Sequence, residues 1–348
     1  MAIELKAMTR LRIPAIALAL VTFAFALTLA GCGEKSEEGG AEREAFSLTL
    51  DFYPNPDHAG IYMAEKLGYF EEAGLEVSIQ TPSDPAAPVK QVAAGQSDLA
   101  ISYEPEVALA REQGLDVVAV AALVNQPLTS LIWLGKSGIK GVGDLKGRTI
   151  ATAGIPYQDK FLETILARVD LTPDQLKVVN VGFGLLPAVT SSSADAILGG
   201  FRNVEGVDLR LRGLAPTVTP VDQLGVPTYD ELVLVANRGS LEEDPERLRL
   251  FIAALERGTE AAVDNPGAAT RAITEANPDL EPKLTAAEVE ATLPFLGARV
   301  DGQPYGYMDP KEWEAFAAWM RDNELIDSLP TPSELLDNGY LPSGEIPE

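Results

Sequence analysis

Strand-like and helix-like segments alternate along the first part of this 348-residue chain, and this alternation constrains the fold more than any other feature. Segments with the apolar pattern of strands occur at residues 46–52, 75–81, 98–103 and 117–124. Segments with helical patterns lie between them, at residues 59–67, 87–94 and 104–113. Strands that alternate with helices form βαβ units, so we predict an α/β fold with mostly parallel strands and right-handed crossovers.

The rest of the chain predicts a second lobe and a return to the first. Further strand-like segments are found at residues 130–135, 176–183, 194–200 and 229–237, and residues 142–154 indicate a short helix followed by a strand that ends at Gly154. Helices are predicted at residues 158–169, 185–192, 244–264, 266–275, 286–293 and 310–323. Roughly 300 residues exceed one ordinary core, so we predict two doubly wound lobes joined by a hinge. Lobe 1 would comprise residues 46–130 and 234–335, lobe 2 residues 131–233, and residues 336–348 an irregular tail.

Aromatic and polar side chains are concentrated where the first predicted strand ends. Phe52, Tyr53, Asn55, His58 and Tyr62 lie in or after the loop that leads from this strand to a helix. Ligands of α/β folds bind where strands end and helices begin, because backbone N–H groups are free there. Aromatic faces combined with an amide and an imidazole are suited to binding a flat, polar heterocycle.

Other strand ends carry similar side chains. The additional candidates are Ser102, Tyr103 and Glu104 in the first lobe, and Gly154, Tyr157, Phe201, Asn203 and Glu205 in the second. Helix capping and the helix dipole explain Ser102 and Glu104 equally well, so that alternative stays open. The corresponding alternative for Glu205 is that it only caps a helix or faces solvent.

The N-terminal residues have the features of an export signal. Lys6, Arg10 and Arg12 precede an apolar run at residues 13–29, and small residues lie just before Cys32. We predict a signal peptide at residues 1–31 and a flexible, charged, Gly-rich tether at residues 32–45. Cys32 is the only cysteine, which excludes an intramolecular disulfide and a cysteine-based metal site.

Charge and motifs argue against several functions. The formal net charge of -25 argues against nucleic acid binding, which needs a basic patch. The sequence has no G-x-S-x-G motif, no Walker loop, no dinucleotide-binding G-x-G-x-x-G motif and no His pair for a metal. We therefore predict a monomeric binding protein without metal, cofactor or enzymatic activity.

Several of these segments resemble the ThiY-type solute-binding proteins, which are similar to the eukaryotic pyrimidine synthases of thiamine formation. The match begins at residues 50–55 with His58 and Tyr62, and it covers about residues 46–325. Further matching segments are residues 68–70, 72–76, 93–103, 154–156, 195–200 with Asn203 and Glu205, and 229–235.

This resemblance implies a type II periplasmic-binding-protein fold, in which two lobes close on a solute. It also implies acylation of Cys32 after cleavage, attachment to the extracytoplasmic face of the cell membrane, and delivery of the ligand to an ABC permease. The implied ligand is a thiamine pyrimidine precursor of the formylaminopyrimidine or hydroxymethylpyrimidine type. For such a ligand we assign stacking to Phe52, Tyr53 and Phe201, and acceptance of N–H donors to Glu205. Orientation is assigned to Asn55, His58, Tyr103 and Asn203.

Two alternatives follow from the same resemblance. Phe52 stands where family members usually have Trp, and relatives with Phe resemble riboflavin binders, so a flavin is the second ligand class. The related synthases consume one of their own histidines, and His58 occupies the corresponding part of the motif. Against a synthase, those enzymes are intracellular, and the resemblance implies a cysteine cluster that this chain lacks.

Overall fold

A computed structural model describes residues 43–296 and 300–342, and these residues contain two five-stranded sheets surrounded by helices. The predicted signal peptide, most of the predicted tether and Cys32 lie outside the described residues. The described residues form one compact unit. The chain changes sheet between Val124 and Thr129 and again between Pro220 and Leu232. The exact division into lobes stays a prediction.

The first sheet has the strand order β2-β1-β3-β10-β4. Its strands are β1 (Glu44–Thr49), β2 (Leu75–Gln80), β3 (Leu99–Ser102), β4 (Val117–Val124) and β10 (Leu232–Asn237). The second sheet repeats this arrangement in the order β7-β6-β8-β5-β9. Its strands are β5 (Thr129–Leu134), β6 (Thr149–Thr152), β7 (Lys177–Asn180), β8 (Ala196–Phe201) and β9 (Pro216–Pro220).

Helices follow most strands and fill the C-terminal third. In the first part of the chain they are α1 (Ala59–Lys66), α2 (Tyr69–Glu72), α3 (Pro88–Ala93), α4 (Glu104–Glu112), α5 (Tyr157–Ala167), α6 (Leu185–Thr190) and α7 (Glu205–Leu211). The later helices are α8 (Arg238–Glu243), α9 (Pro245–Asp264), α10 (Pro266–Ala276), α11 (Pro282–Leu296), α12 (Pro310–Asp322) and α13 (Pro332–Leu335).

Four of the five strands in each sheet run in the same direction, as predicted, and one strand in each runs against them. β1 is parallel to β2 and β3, and β6 is parallel to β7 and β8. β10 is antiparallel to both of its neighbours, and so is β5. β5 and β10 are each the first strand after the chain changes sheet. The chain reaches them without a βαβ crossover, which would make them parallel to their neighbours, and they run antiparallel instead.

Three predicted strands extend three residues beyond the observed strand at one end. The strand predicted at residues 46–52 ends at Thr49, whose partner Gln80 is the last residue of β2. The strand predicted at 176–183 ends at Asn180, opposite the end of β6 at Thr152. The strand predicted at 229–237 begins at Leu232, opposite Val124 at the end of β4. In each case the neighbouring strand ends at the same level, so there is no further strand residue for the segment to pair with.

The C-terminal residues are more ordered than the prediction of an irregular tail. Leu336 bridges Ala119 of β4, and the Asp337 N–H donates to the Ala119 carbonyl over 2.8 Å. A 3-10 helix follows at Asn338–Tyr340. β4 is an edge strand whose residues are all buried, and the tail covers that edge. Residues 343–348 lie outside the described part.

The described residues were compared with the requirements of a membrane-spanning helix and of a metal site. In the described parts of the chain, no helix is long and apolar enough to cross a membrane. The same residues contain no group of three or more His, Cys, Asp or Glu side chains that could hold a metal ion.

Candidate functional site

A crevice lies at the carboxyl ends of strands from both sheets, which is where open α/β folds bind ligands. The space between its walls, counted together with open solvent at its mouth, is about 390 Å³. From the first sheet it is lined by Asp51, Phe52, Asn55 and Tyr103. From the second sheet it is lined by Ala153, Ile155, Tyr157, Gln158, Gly199, Phe201, Val204 and Glu205.

Six of the thirteen residues predicted to bind ligand line this crevice. They are Phe52, Asn55, Tyr103, Tyr157, Phe201 and Glu205. Tyr53 lines an adjacent cavity together with Asn55 and Glu205. The other six predicted residues, His58, Tyr62, Ser102, Glu104, Gly154 and Asn203, do not line the crevice.

Aromatic rings supply much of the crevice wall. The Tyr103 and Tyr157 rings contact each other edge to face, with centroids 5.6 Å apart, and therefore join the two sheets. The Phe52 ring lies 4.5 Å from that of Tyr53 and 4.7 Å from that of Phe183. Phe183 follows β7 and was not among the predicted residues. Contacts of this kind fix the rings while leaving other faces available to a planar ligand.

Asp51 is the most informative residue that the sequence analysis did not select. Its side chain is 1% exposed and lines the crevice. One carboxylate oxygen accepts a hydrogen bond from the Tyr103 hydroxyl over 2.9 Å, and the other lies 2.9 Å from His58 Nε2. The carboxylate therefore fixes a wall residue on one side and a fully buried imidazole on the other.

His58 supports the site from behind instead of lining it. The Asn55 backbone N–H donates to His58 Nδ1 over 3.2 Å, so Nδ1 is the unprotonated nitrogen and Nε2–H donates to Asp51. The Asn55 side chain in turn accepts from the Asp57 N–H over 2.8 Å. This reciprocal cap orders the turn from β1 to α1, because both free N–H groups find acceptors.

Glu205 begins α7 and lines both the crevice and the adjacent cavity. Its Oε2 accepts from the Phe201 N–H over 2.7 Å. Burial raises the pKa of Glu205 to about 7, although the hydrogen bond from Phe201 acts in the opposite direction. This hydrogen bond holds the end of β8 and does not cap α7, and the carboxyl lines open space.

Three other candidates are buried in the protein interior and do not line the crevice. Tyr62 on α1 is buried, as is Ser102 at the end of β3. Glu104 Oε2 accepts from the Asp230 N–H over 2.7 Å and so ties α4 to the segment before β10.

Two glycines permit close packing beside the crevice. Gly154 has φ +78°, and a Cβ there would lie 2.1 Å from the Asn180 amide nitrogen. Gly199 has φ +106°, and a Cβ there would lie 2.4 Å from Gln158 Nε2. Gln158, also not selected from the sequence, accepts from the Ala153 N–H over 3.0 Å. Only glycine fits both the backbone conformation and the space at these positions.

Asn203 joins residues on the two sides of the crevice. Its amide nitrogen donates to Asp57 Oδ1 over 2.7 Å and to Thr292 Oγ1 over 2.8 Å. Asp57 follows β1 of the first sheet, whereas Asn203 follows β8 of the second. Burial, and then the charge of Asp51, raise the pKa of Asp57 well above its usual value.

The chain is similar to proteins named for binding or making thiamine pyrimidines. It is 36% identical over 285 residues to a candidate thiamine biosynthesis protein of Haemophilus influenzae, covering 82% of this chain and 88% of the relative. It is 34% identical to a formylaminopyrimidine-binding protein of Halalkalibacterium halodurans, covering 86% and 92%. A 4-amino-5-hydroxymethyl-2-methylpyrimidine phosphate synthase of Legionella pneumophila is 24% identical, covering 85% and 92%.

Solved structures share the fold. The alkanesulfonate-binding protein SsuA of Xanthomonas axonopodis superposes with a TM-score of 0.66 at 17% identity, covering 85% of this chain and 99% of that one. The periplasmic aliphatic sulphonate-binding protein SsuA of Escherichia coli gives 0.64 at 16% identity, covering 88% and 96%. The predicted periplasmic-binding-protein fold is confirmed.

A family model described as NMT1/THI5 like matches residues 55–269, which is more than half of the chain. Together with relatives above 30% identity over most of both sequences, this match shows that the chain belongs to the NMT1/THI5-like family.

Proposed function

We propose that this protein is the solute-binding component of an ABC importer and that it captures a thiamine pyrimidine precursor of the formylaminopyrimidine or hydroxymethylpyrimidine type. The fold supports a binding role, because its solved neighbours named above are binding proteins. The ligand class is supported by the relative from Halalkalibacterium halodurans, which is named for binding formylaminopyrimidine.

One observation carries the proposal most directly. The crevice combines four aromatic residues, Phe52, Tyr103, Tyr157 and Phe201, with the carboxyl groups of Asp51 and Glu205. An aminopyrimidine has two apolar faces and an edge that donates N–H groups. Aromatic side chains can stack on the apolar faces, and carboxylates can accept hydrogen bonds from the N–H groups of the edge.

The residue roles follow from these positions. Phe52 and Phe201 stack on the ring, and Glu205 accepts from its amine. Tyr103 and Asn55 orient the ligand directly, whereas His58 acts through Asp51 and Asn203 acts by holding the two sides together. Tyr53 contributes from the adjacent cavity.

A synthase is the competing class, because a relative carries that name. The geometry of His58 favours binding over synthesis. Its side chain is 0% exposed, both ring nitrogens have partners, and it does not line the crevice. A histidine that is consumed as a substrate would have to leave this network.

Calorimetry with a ligand panel tests the proposal. The panel contains formylaminopyrimidine, hydroxymethylpyrimidine, thiamine and riboflavin. We expect the two pyrimidines to bind most tightly, to be recovered unaltered, and to leave His58 intact by mass spectrometry when iron and pyridoxal phosphate are supplied. Preferential binding of riboflavin would mean that the ligand is a flavin instead of a pyrimidine. Loss of mass at His58 would mean that the protein is a synthase instead of a binding protein.

The cellular setting is part of the same proposal. We propose that acylated Cys32 anchors the protein to the extracytoplasmic face of the cell membrane, and that the protein acts there as a monomer. The extracytoplasmic location is supported by the name of a protein with the same fold, the periplasmic aliphatic sulphonate-binding protein of Escherichia coli.

A further inference from the structure

Three half-buried aromatic rings form a cluster that joins the two sheets beside the crevice. Phe52 and Tyr53 follow β1 of the first sheet, and Phe183 follows β7 of the second. The Phe183 ring meets the Phe52 ring edge to face, with centroids 4.7 Å apart, and its centroid lies 6.2 Å from that of Tyr53. Leu50 and Leu185 belong to the hydrophobic core, whereas these three rings lie outside it. The cluster is therefore a separate contact between loops of the two sheets.

The turn that carries Phe183 has a defined shape. The Gly184 N–H donates to the Val181 carbonyl over 2.9 Å and closes the turn. Asn180 Oδ1 accepts from the Gly182 N–H over 2.9 Å, and Gly182 has φ +53°, which glycine adopts without strain. These contacts fix the backbone on both sides of Phe183, so its ring is presented to the opposite loop in one position.

Gly154 supports the same turn from β6. It has φ +78°, and the space that its Cβ would fill is occupied by the Asn180 side chain. The Asn180 amide can therefore lie against the backbone while its oxygen accepts from Gly182. Gly154 thus acts on the crevice indirectly, through the turn that holds Phe183.

Phe183 contacts the walls of the ligand space and does not line that space itself. Phe52 lines the crevice and Tyr53 lines the adjacent cavity, but Phe183 lines neither. Any effect of Phe183 on a ligand is therefore transmitted through these two rings.

We propose that Phe183 is a positioning residue that holds the Phe52 and Tyr53 rings in place over a bound ligand and thereby slows its release. The proposal rests on the proposed function and adds a residue that retains the pyrimidine. The site residues described above explain recognition, whereas Phe183 would control how long the ligand stays bound.

The expected effect is on the dissociation rate. Phe183 and its two partners come from different sheets, so their contact is made only while the loops are close together. A ligand leaves when the crevice opens, and a contact that exists only in the closed arrangement makes opening less frequent. Association starts from the open arrangement, so the association rate should change little.

Phe183→Ala tests this with 4-amino-5-hydroxymethyl-2-methylpyrimidine as the probe. Surface plasmon resonance measures the association and dissociation rates separately. We expect the dissociation rate to rise by at least about fivefold and the association rate to stay within about twofold, because two ring contacts are lost. Phe183→Tyr keeps the ring and should restore the dissociation rate to within about twofold of the unaltered protein.

Val181→Ala is the matched control, because Val181 is half-buried in the same turn but packs against the hydrophobic core. We expect this variant to lower the melting temperature and to leave the dissociation rate unchanged. A dissociation rate that rises equally in Val181→Ala and Phe183→Ala would mean that any damage to the turn has this effect, and would overturn the role of Phe183.

Hydrogen exchange of the ligand-free protein supplies a second readout. If the Phe183 ring holds the loop after β1, Phe183→Ala should increase exchange in peptides that cover residues 50–55 by at least about threefold. Exchange in β4, far along the first sheet, should stay the same. Unchanged exchange in residues 50–55 would show that Phe183 does not hold this loop.

The outcomes separate this inference from the proposed function. A dissociation rate that is unchanged in Phe183→Ala, or an affinity loss that lies in the association rate, overturns the role of Phe183 and leaves the proposed function intact. A protein that binds neither hydroxymethylpyrimidine nor formylaminopyrimidine overturns the proposed function, and with it the retention of a pyrimidine by Phe183.

Discussion

Glu205 is the acidic residue that lines both the crevice and the adjacent cavity. Its pKa of about 7 places both protonation states within reach at neutral pH. The Phe201 N–H already donates to one oxygen, and a ligand amine would add a second donor to the carboxylate. Each such donor favours the ionised form, so ligand binding and deprotonation of Glu205 should be coupled.

Replacing Glu205 by Gln tests its role as an acceptor. The amide keeps the size of the side chain but loses the charge, and a charge-assisted hydrogen bond is worth about 1.5–3 kcal/mol. We therefore expect Glu205→Gln to weaken pyrimidine binding by about tenfold to a hundredfold in calorimetry. Glu290→Gln serves as the control, because Glu290 is exposed on α11 and its substitution changes the charge equally. An affinity within about twofold of the unaltered protein would mean that Glu205 only accepts from Phe201 and lies outside the ligand site.

At the scale of residues, the sequence could identify side chains by their position after a strand but could not reveal distant partners. Phe52, Tyr103 and Phe201 were predicted because aromatic residues at strand ends are visible in the sequence. Asp51 was missed because its importance comes from Tyr103, which is 52 positions away. Likewise, the partner of Asn203 is Asp57, 146 positions away.

At the scale of elements, most strands and helices were predictable from periodicity, whereas the edge strand β9 was not. β9 (Pro216–Pro220) begins and ends with proline, so it lacks the sequence signal of a strand. It still forms because it is an edge strand that pairs with β5 alone. The helix α7 was also missed, although Glu205 at its first position was selected as a site residue.

The two connections between the sheets meet at one buried carboxyl. Glu231 lies directly before β10, and its oxygens accept from the Leu128 and Thr129 N–H groups, both over 2.7 Å. The Thr129 and Tyr229 hydroxyls also donate to it. Because Leu128 and Thr129 belong to the outgoing connection and Tyr229 to the returning one, Glu231 fastens the two connections together.

Removing this acceptor should destabilise the protein. In Glu231→Ala, two buried backbone N–H groups would lose their acceptor, at a cost of about 1–3 kcal/mol each. We expect the free energy of unfolding in urea to fall by about 2–5 kcal/mol. Asp222→Ala is the control, because Asp222 is exposed in the same connection. A change in Glu231→Ala as small as in the control would show that other contacts hold the two connections.

At the scale of the whole molecule, the proposed lipid anchor makes a prediction about location. If Cys32 carries the acyl chains, Cys32→Ala should release the protein from the membrane fraction, because the acyl chains supply the hydrophobic contribution to anchoring. Cell fractionation with immunodetection measures this. Cys32→Ala protein that remains in the membrane fraction would contradict the anchor.

The buried acids should make the whole molecule more stable at mildly acidic pH. Burial raises the pKa values of Glu205, Asp230 and Glu231 to about 7 each, well above their usual values near 4. Between about pH 4 and pH 7 the native state therefore binds more protons than the unfolded state, and the free energy of unfolding falls as the pH rises. Repulsion within a chain of net charge -25 acts in the same direction.

We expect the melting temperature to be at least about 5 °C higher at pH 5 than at pH 8, since each buried acid contributes on the order of 1–3 kcal/mol. Repeating the series in 1 M sodium chloride separates the two causes. Salt at this concentration shortens the screening length to about 3 Å and suppresses repulsion between surface charges, but it screens buried groups much less. A pH dependence that persists in high salt therefore belongs to the buried acids. A pH dependence that disappears in high salt is caused by repulsion between surface charges. A melting temperature that rises with pH contradicts both explanations.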